Sequence, residues 1–141
     1  MRLTKLFAAC LAAASLLISC TEKAPELQGS WELDTIDGQV VSTTEKPAYI
    51  NFDVAESRVN GCLGVNLFMG GYSFVDGKLS FGDLGTTMML GKPSDMEVES
   101  AFQKVLDATS GVKVDGETLS LLDVNGKVLA TLTKRAAEPA E

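Results

Sequence analysis

"VNGCLGVNLFMGGYSF", residues 59–74, sets glycines at 61, 64, 70 and 71 around Cys62, Asn60 and Asn66. Such a run reads either as a loop whose backbone N–H groups cradle a ligand or as the sharp bends of a small β-protein. The flanking sequence favours the second. Asp37-Gly38, Asn60-Gly61, Gly70-Gly71, Asp76-Gly77, Asp115-Gly116 and Asn125-Gly126 are dipeptides that supply positive φ for tight hairpins. Between them apolar residues alternate, as in Ile50, Phe52, Val54; Tyr72, Phe74; Leu79, Phe81; Val112, Val114; and Leu119, Leu121. Alternation of this kind buries one face of a strand and leaves the other wet.

One segment has a different period. In "PSDMEVESAFQKVLDATSG", residues 93–111, Val98, Ala101, Phe102, Val105 and Leu106 recur at helical spacing. Ser94 with Glu97 is expected to form a capping box, and Gly111 to lie just beyond the helix end. The predicted fold class is α+β: an antiparallel β-sheet or partly closed barrel of about eight short strands, with one helix packed on it.

The first residues, "MRLTKLFAACLAAASLLISC", carry Arg2 and Lys5, then an apolar run from Leu6 to Ile18. The run falls short of the roughly 20 residues that span a bilayer, and it has the charged, apolar and small-residue order of a secretory signal. Leu17, Ile18, Ser19 and Cys20 resemble the lipobox of bacterial lipoproteins, in which the cysteine is acylated and heads the mature chain. More than one acyl chain anchors stably where a single one binds marginally. The expected organisation is a signal over 1–19, lipidated Cys20 and a polar tether over 20–28, a folded domain over 29–133, and a frayed tail over 134–141. The expected location is the bacterial cell envelope, lipid-anchored, with the outer membrane as the expected membrane and the leaflet left open.

The net charge of −7 becomes more negative once Arg2 and Lys5 leave with the signal. Such a surface repels nucleic acid, so no nucleic-acid partner is expected. With Cys10 in the signal and Cys20 acylated, only Cys62 remains, and no intrachain disulfide is possible.

Several short motifs, in order, resemble the META domain family, whose bacterial members include the HslJ-like envelope proteins. "LQGSWEL" brings Leu27, Gly29, Trp31 and Leu33 to the family's opening strand. "VNGCLGVNLFMGGY" is similar to its Gly-x-x-Gly-Cys-Asn segment through Gly61, Gly64, Asn66, Gly71 and Tyr72, with Val65 where members carry cysteine. "GTTMML" resembles a Thr-x-Met-x-Cys motif through Thr86 and Met88, with Leu90 in place of the cysteine. The joint loss of the two cysteines implies an apolar contact where relatives have a disulfide. The helix with Glu97 and Phe102 and the stretch "VDGETLSLLDVNGKVLATL" complete the pattern. The resemblance implies an envelope protein linked to stress or antibiotic tolerance and brings no enzymatic activity.

The candidate ligand loop is Gly61, Gly64, Asn66, Gly71 and Tyr72; the plainer reading is structural, because no lysine or arginine lies between Val59 and Gly77 to balance a bound anion. Cys62 is expected to be buried and inert rather than reactive. Met69, Met88, Met89 and Met96 raise the possibility of a soft-metal site, but the chain contains no histidine, and core packing is the expectation. Ser110 to Lys113 matches a Ser-x-x-Lys spacing without its companion motifs, and Lys113 is expected to point outward. Asp123, Asn125 and Gly126 read as a hairpin turn, since Leu121 and Leu132 stand where a calcium loop needs carboxylates. The remaining acidic residues read as solvated faces. No catalytic residues, metal or cofactor are expected. The expected function is a non-catalytic envelope lipoprotein with a binding or maintenance role, held to the membrane by its lipid, with an envelope protein or small apolar ligand as partner. The alternative is a protein inhibitor or ligand carrier on a β-barrel.

Overall fold

A computed structural model describes residues 24–136. The signal segment, Cys20 and the last five residues of the tail lie outside the described residues. The elements run β1 (Gly29–Ile36), β2 (Gln39–Val40), β3 (Tyr49–Asp53), β4 (Arg58–Cys62), β5 (Leu67–Val75), β6 (Lys78–Phe81), β7 (Gly85–Thr86), α1 (Pro93–Ala108), β8 (Gly111–Asp115), β9 (Thr118–Leu122) and β10 (Val128–Lys134). All pairings are antiparallel, and they return on themselves through β1, β3, β4, β5, β6, β8, β9 and β10, with β2 and β7 as short additions on β1 and β5. The thinnest seam is β6 against β8, where a single register pair, Lys78 with Gly111, joins them. Among the described residues the sheet is thus a partly closed ring with one helix, as the α+β expectation required.

Alternation decides what fills the ring. Trp31 and Leu33 on β1, Ile50 and Phe52 on β3, Leu119 and Leu121 on β9, and Ala130 and Leu132 on β10 all point inward and are buried. From α1, Phe102, Val105 and Leu106 join the same core. Phe52 meets the edge of Tyr72 at 5.3 Å between ring centroids, the T-shaped geometry aromatic pairs favour.

The packed body is longer at both ends than 29–133. Leu27, placed in the tether by sequence, is buried in the core, and its carbonyl accepts from the Trp31 indole N–H at 2.9 Å. Lys134 belongs to β10, and the Arg135 guanidinium lies 4.4 Å over the Tyr49 ring while pairing with Glu32. Cations over aromatic faces hold the chain end that charge pattern alone assigned to a frayed tail.

Of the expected turns, Asp37-Gly38 and Asp76-Gly77 have positive φ at both residues, as two-residue hairpins demand. Asn60-Gly61 and Gly70-Gly71 are not turns. They lie inside β4 and β5, which pair Val59 with Gly70 and Gly61 with Phe68. Their glycines serve close approach instead: a Cβ on Gly61 would stand 2.0 Å from the Tyr49 carbonyl oxygen, and one on Gly70 would stand 2.7 Å from Leu84 Cδ2.

The helix starts differently from the expected capping box. Lys92 is the N-cap with no side-chain bond, Pro93 occupies the first turn, and Ser94 and Glu97 are exposed. Proline at the first helical position needs no N–H partner and sets φ in advance, so the reciprocal side-chain cap is dispensable. At the other end Gly111 opens β8 instead of capping, and the Thr109 hydroxyl donates to the Val105 carbonyl at 2.7 Å.

Candidate functional site

At one end of the ring three loops meet the first two turns of α1: residues 41–48, residues 63–66 and the strap 84–92. The helix presents two carboxylates to them. Asp95 and Glu99 are both buried, at 1% and 8% exposure, which corrects the expectation that the acidic residues are solvated. They fall on the stripe of Phe102 and Leu106, Asp95 seven residues before Phe102 and Glu99 seven before Leu106, so the helical period itself turns them inward.

Asp95 holds the first loop. Its Oδ1 accepts the Thr44 backbone N–H at 2.9 Å and its Oδ2 the Thr44 hydroxyl at 2.8 Å. The Thr44 N–H is the main cause holding this carboxyl below its ordinary range, against the opposing effect of burial. The Thr44 hydroxyl, the Glu45 backbone and the Lys92 charge add to the lowering.

Glu99 holds the second loop. Its Oε2 accepts the backbone N–H groups of Val65 and Asn66 at 3.0 and 2.7 Å, and its Oε1 accepts the Asn66 amide at 2.7 Å. Asn66 extends the cluster to the strap. Its amide also donates to the Met89 carbonyl at 3.1 Å, and its oxygen accepts from the Thr87 hydroxyl at 3.0 Å and from the Met89 N–H. All four bonding positions of that amide are filled. Thr87 closes the strap onto β5 by accepting the Leu67 N–H at 3.0 Å, and its own N–H donates to the Leu67 carbonyl at 3.0 Å.

The five candidate loop residues do not gather at one place. Gly64, with φ of 134°, and Asn66 sit in this cluster, and Gly61 lies beside it in β4. Gly71 and Tyr72 lie further along β5, against Ser57 and the 24–28 segment. There burial, and after it the Asp53 carboxylate, raise the Tyr72 phenol above its ordinary value. The N–H groups of Val65 and Asn66 that an anion would use already bond the protein's own Glu99. Asp95, Glu99, Thr44 and Thr87 were missed as site residues; the signal that could have found the two acids was their place on the apolar stripe of α1.

Cys62 is buried, and its sulfur accepts the Gly64 N–H at 3.4 Å. Lys113 is exposed at the end of the Ser110 to Lys113 stretch. Asp123 accepts the N–H groups of Asn125 and Lys127, which makes that segment a hairpin turn. No group of three histidine, cysteine, aspartate or glutamate side chains converges to hold a metal among the described residues.

The methionines depart from the core expectation. Met88 is 96% exposed, and Met69 and Met89 are also exposed, while Met96 is half-buried. Leu90 is 95% exposed, so the implied apolar contact with Val65 is absent. Val65 packs instead on Gly91, where its Cγ2 would stand 2.4 Å from an added Cβ. The backbone of the strap is engaged by Asn66; Leu84 packs against the core, while Met88, Met89 and Leu90 are exposed. Leu67 and Met69 of β5, which pairs with β7 of the strap, are also exposed and, with Phe68, Gly85, Thr86 and Thr87, line an apolar groove of about 310 Å³.

The META domain family model matches residues 24–136. A protein from Burkholderia xenovorans solved by NMR is similar at 27% identity and a TM-score of 0.61, over 79% of this chain and 85% of that one. A DUF4847 family protein from Bacteroides vulgatus shares the fold at 11% identity and a TM-score of 0.56, over 79% of this chain and 96% of that one. No curated protein matches. With the whole ring and helix inside the matched span, the chain belongs to the META domain family.

Proposed function

We propose that this protein is a non-catalytic binding module of the bacterial envelope, lipid-anchored through Cys20, that engages an apolar segment of an envelope protein through the ledge formed by Leu67, Met69, Met88, Met89 and Leu90. The observation that carries it is the division of labour in the strap 84–92. The convergent polar groups beneath it, which would be a catalytic cluster's raw material, bond one another, while Met88, Met89 and Leu90 are exposed. Exposed apolar patches on small domains mark interaction sites, and methionine adapts to varied apolar partners. The carrier alternative has less support, because Trp31, Phe52, Phe68 and Phe102 are fully buried and fill the ring. The inhibitor alternative would use the same ledge, with an enzyme as partner.

A photoreactive amino acid at Leu90 of the full chain, produced in cells, tests this. One discrete adduct at Leu90, absent with the same group at exposed Val124, is expected; no adduct, or the same ladder at both positions, overturns the reading. Separately, Cys20→Ser is expected to release the protein from the membrane fraction, and a variant that stays there removes the lipid anchor from the proposal.

A further inference from the structure

The two ends of β5 differ in what they carry. Its first residues bear the ledge, and its last lie beside an open hollow of about 290 Å³ lined by residues 24–28, Val54, Ser57, Tyr72 and Phe74. Val54 on its wall is 46% exposed, and Val75, the last residue of β5 before the Asp76-Gly77 turn, is 60% exposed. Ala24, at its edge, is four residues from Cys20. Fully extended, those four residues span at most about 14 Å. A headgroup layer is roughly 5–8 Å thick, so the link leaves less than about 10 Å between it and the hollow.

We infer that the end of the ring bearing Val54, Tyr72, Phe74 and Val75 rests on the surface of the bilayer that holds the Cys20 lipid, with the Met88–Leu90 ledge turned away from it. The inference rests on the lipid anchor proposed above. A tyrosine beside small apolar side chains suits the interface between headgroups and chains, where an amphipathic ring has both an apolar and a wet neighbour. The charged residues near this end, Glu26, Asp53, Glu56 and Asp76 against Arg58 and Lys78, carry no positive excess. The contact is therefore apolar and shallow, and it suits neutral headgroups. From Val75 back to Leu67 the strand climbs roughly 26 Å, which lifts the ledge clear of the membrane and into reach of a partner.

The test uses the full lipidated chain in phosphatidylcholine vesicles whose acyl chains are brominated. Single variants Val54→Cys, Val75→Cys and Leu90→Cys carry a small thiol-linked fluorophore; Cys20 is acylated and Cys62 is buried, so neither competes. Quenching at positions 54 and 75 is expected to exceed that at 90 by about threefold or more and to persist in high salt, since burial and not charge drives it. Equal quenching at all three positions, or none at 54 and 75 in a chain that stays on the vesicles, overturns the orientation and leaves the anchor standing. A chain whose mass carries no acyl groups overturns both.

Discussion

Asp95 and Glu99 stand four residues apart on the buried stripe of α1, yet each holds a different loop: Asp95 takes Thr44, and Glu99 takes Val65 and Asn66. Two like charges at this spacing repel when exposed. Here each carboxylate has its own donors, and together they fix the end of the ring from which the ledge projects.

Glu99 is the more demanding of the two to replace. Glu99→Ala leaves two backbone N–H groups and the Asn66 amide without their acceptor. Bonds to charged groups contribute about 1.5–3 kcal/mol each, so a loss of about 3 kcal/mol or more is expected in urea unfolding. Glu99→Gln keeps the volume but turns an NH₂ toward a donor, and it should recover only part. A loss below about 1 kcal/mol for Glu99→Ala would mean that the loop is held by something else.

Stability should fall at both extremes of pH, for separate reasons. Asp95 has a lowered carboxyl pKa, so its contribution is complete above the ordinary carboxylate value of about 4 and is lost as pH drops through the lowered one. Tyr72 has a raised phenol, so the unfolded chain ionises first and stability declines as pH rises past about 10. Thr44→Ala removes one of the bonds to Asp95 and should move its titration upward, as followed by carboxyl-carbon NMR. An unchanged titration would contradict the assigned contact.

Gly61 and Gly71 came from the same short stretch and predict opposite behaviour. A Cβ on Gly61 meets the Tyr49 carbonyl oxygen at 2.0 Å, whereas one on Gly71 would come no nearer than 3.7 Å to the Ser57 carbonyl oxygen. Gly61→Ala should cost more than about 3 kcal/mol or prevent folding, while Gly71→Ala should stay within about 1 kcal/mol. Circular dichroism melts of the pair decide it, and a tolerated Gly61→Ala would mean that β3 and β4 part more easily than their register indicates.

The ring was legible because its signals are local. Alternation at Ile50 and Phe52, or at Leu119 and Leu121, needs only neighbours in sequence, and so do the Asp37-Gly38 and Asp76-Gly77 turns. The polar cluster was not legible, because Glu99 and Asn66 meet from 33 positions apart in sequence and no dipeptide announces it. Asn60-Gly61 misled for a related reason: the same glycine that opens a turn also lets two backbones touch, and only the pairing partner distinguishes them. Exposure of Met88 and Leu90 was hidden too, since it follows from Asn66 holding the backbone of the strap with those two side chains outward.

That outward placement separates stability from binding at Met88 and Leu90. Both side chains are almost fully exposed, so Met88→Lys and Leu90→Lys remove no core contact and should change unfolding free energy by less than about 0.5 kcal/mol. In the ledge reading, either charge must be desolvated against an apolar partner, which should weaken association tenfold or more, since about 1.4 kcal/mol suffices for that factor. The readout is the yield of the adduct from the photoreactive group, placed at Met89 for these variants, set against a thermal melt of the same samples. An unchanged yield with an unchanged melt would remove the ledge as the binding surface, whereas a lost adduct with an unchanged melt ties binding to these side chains and not to the fold.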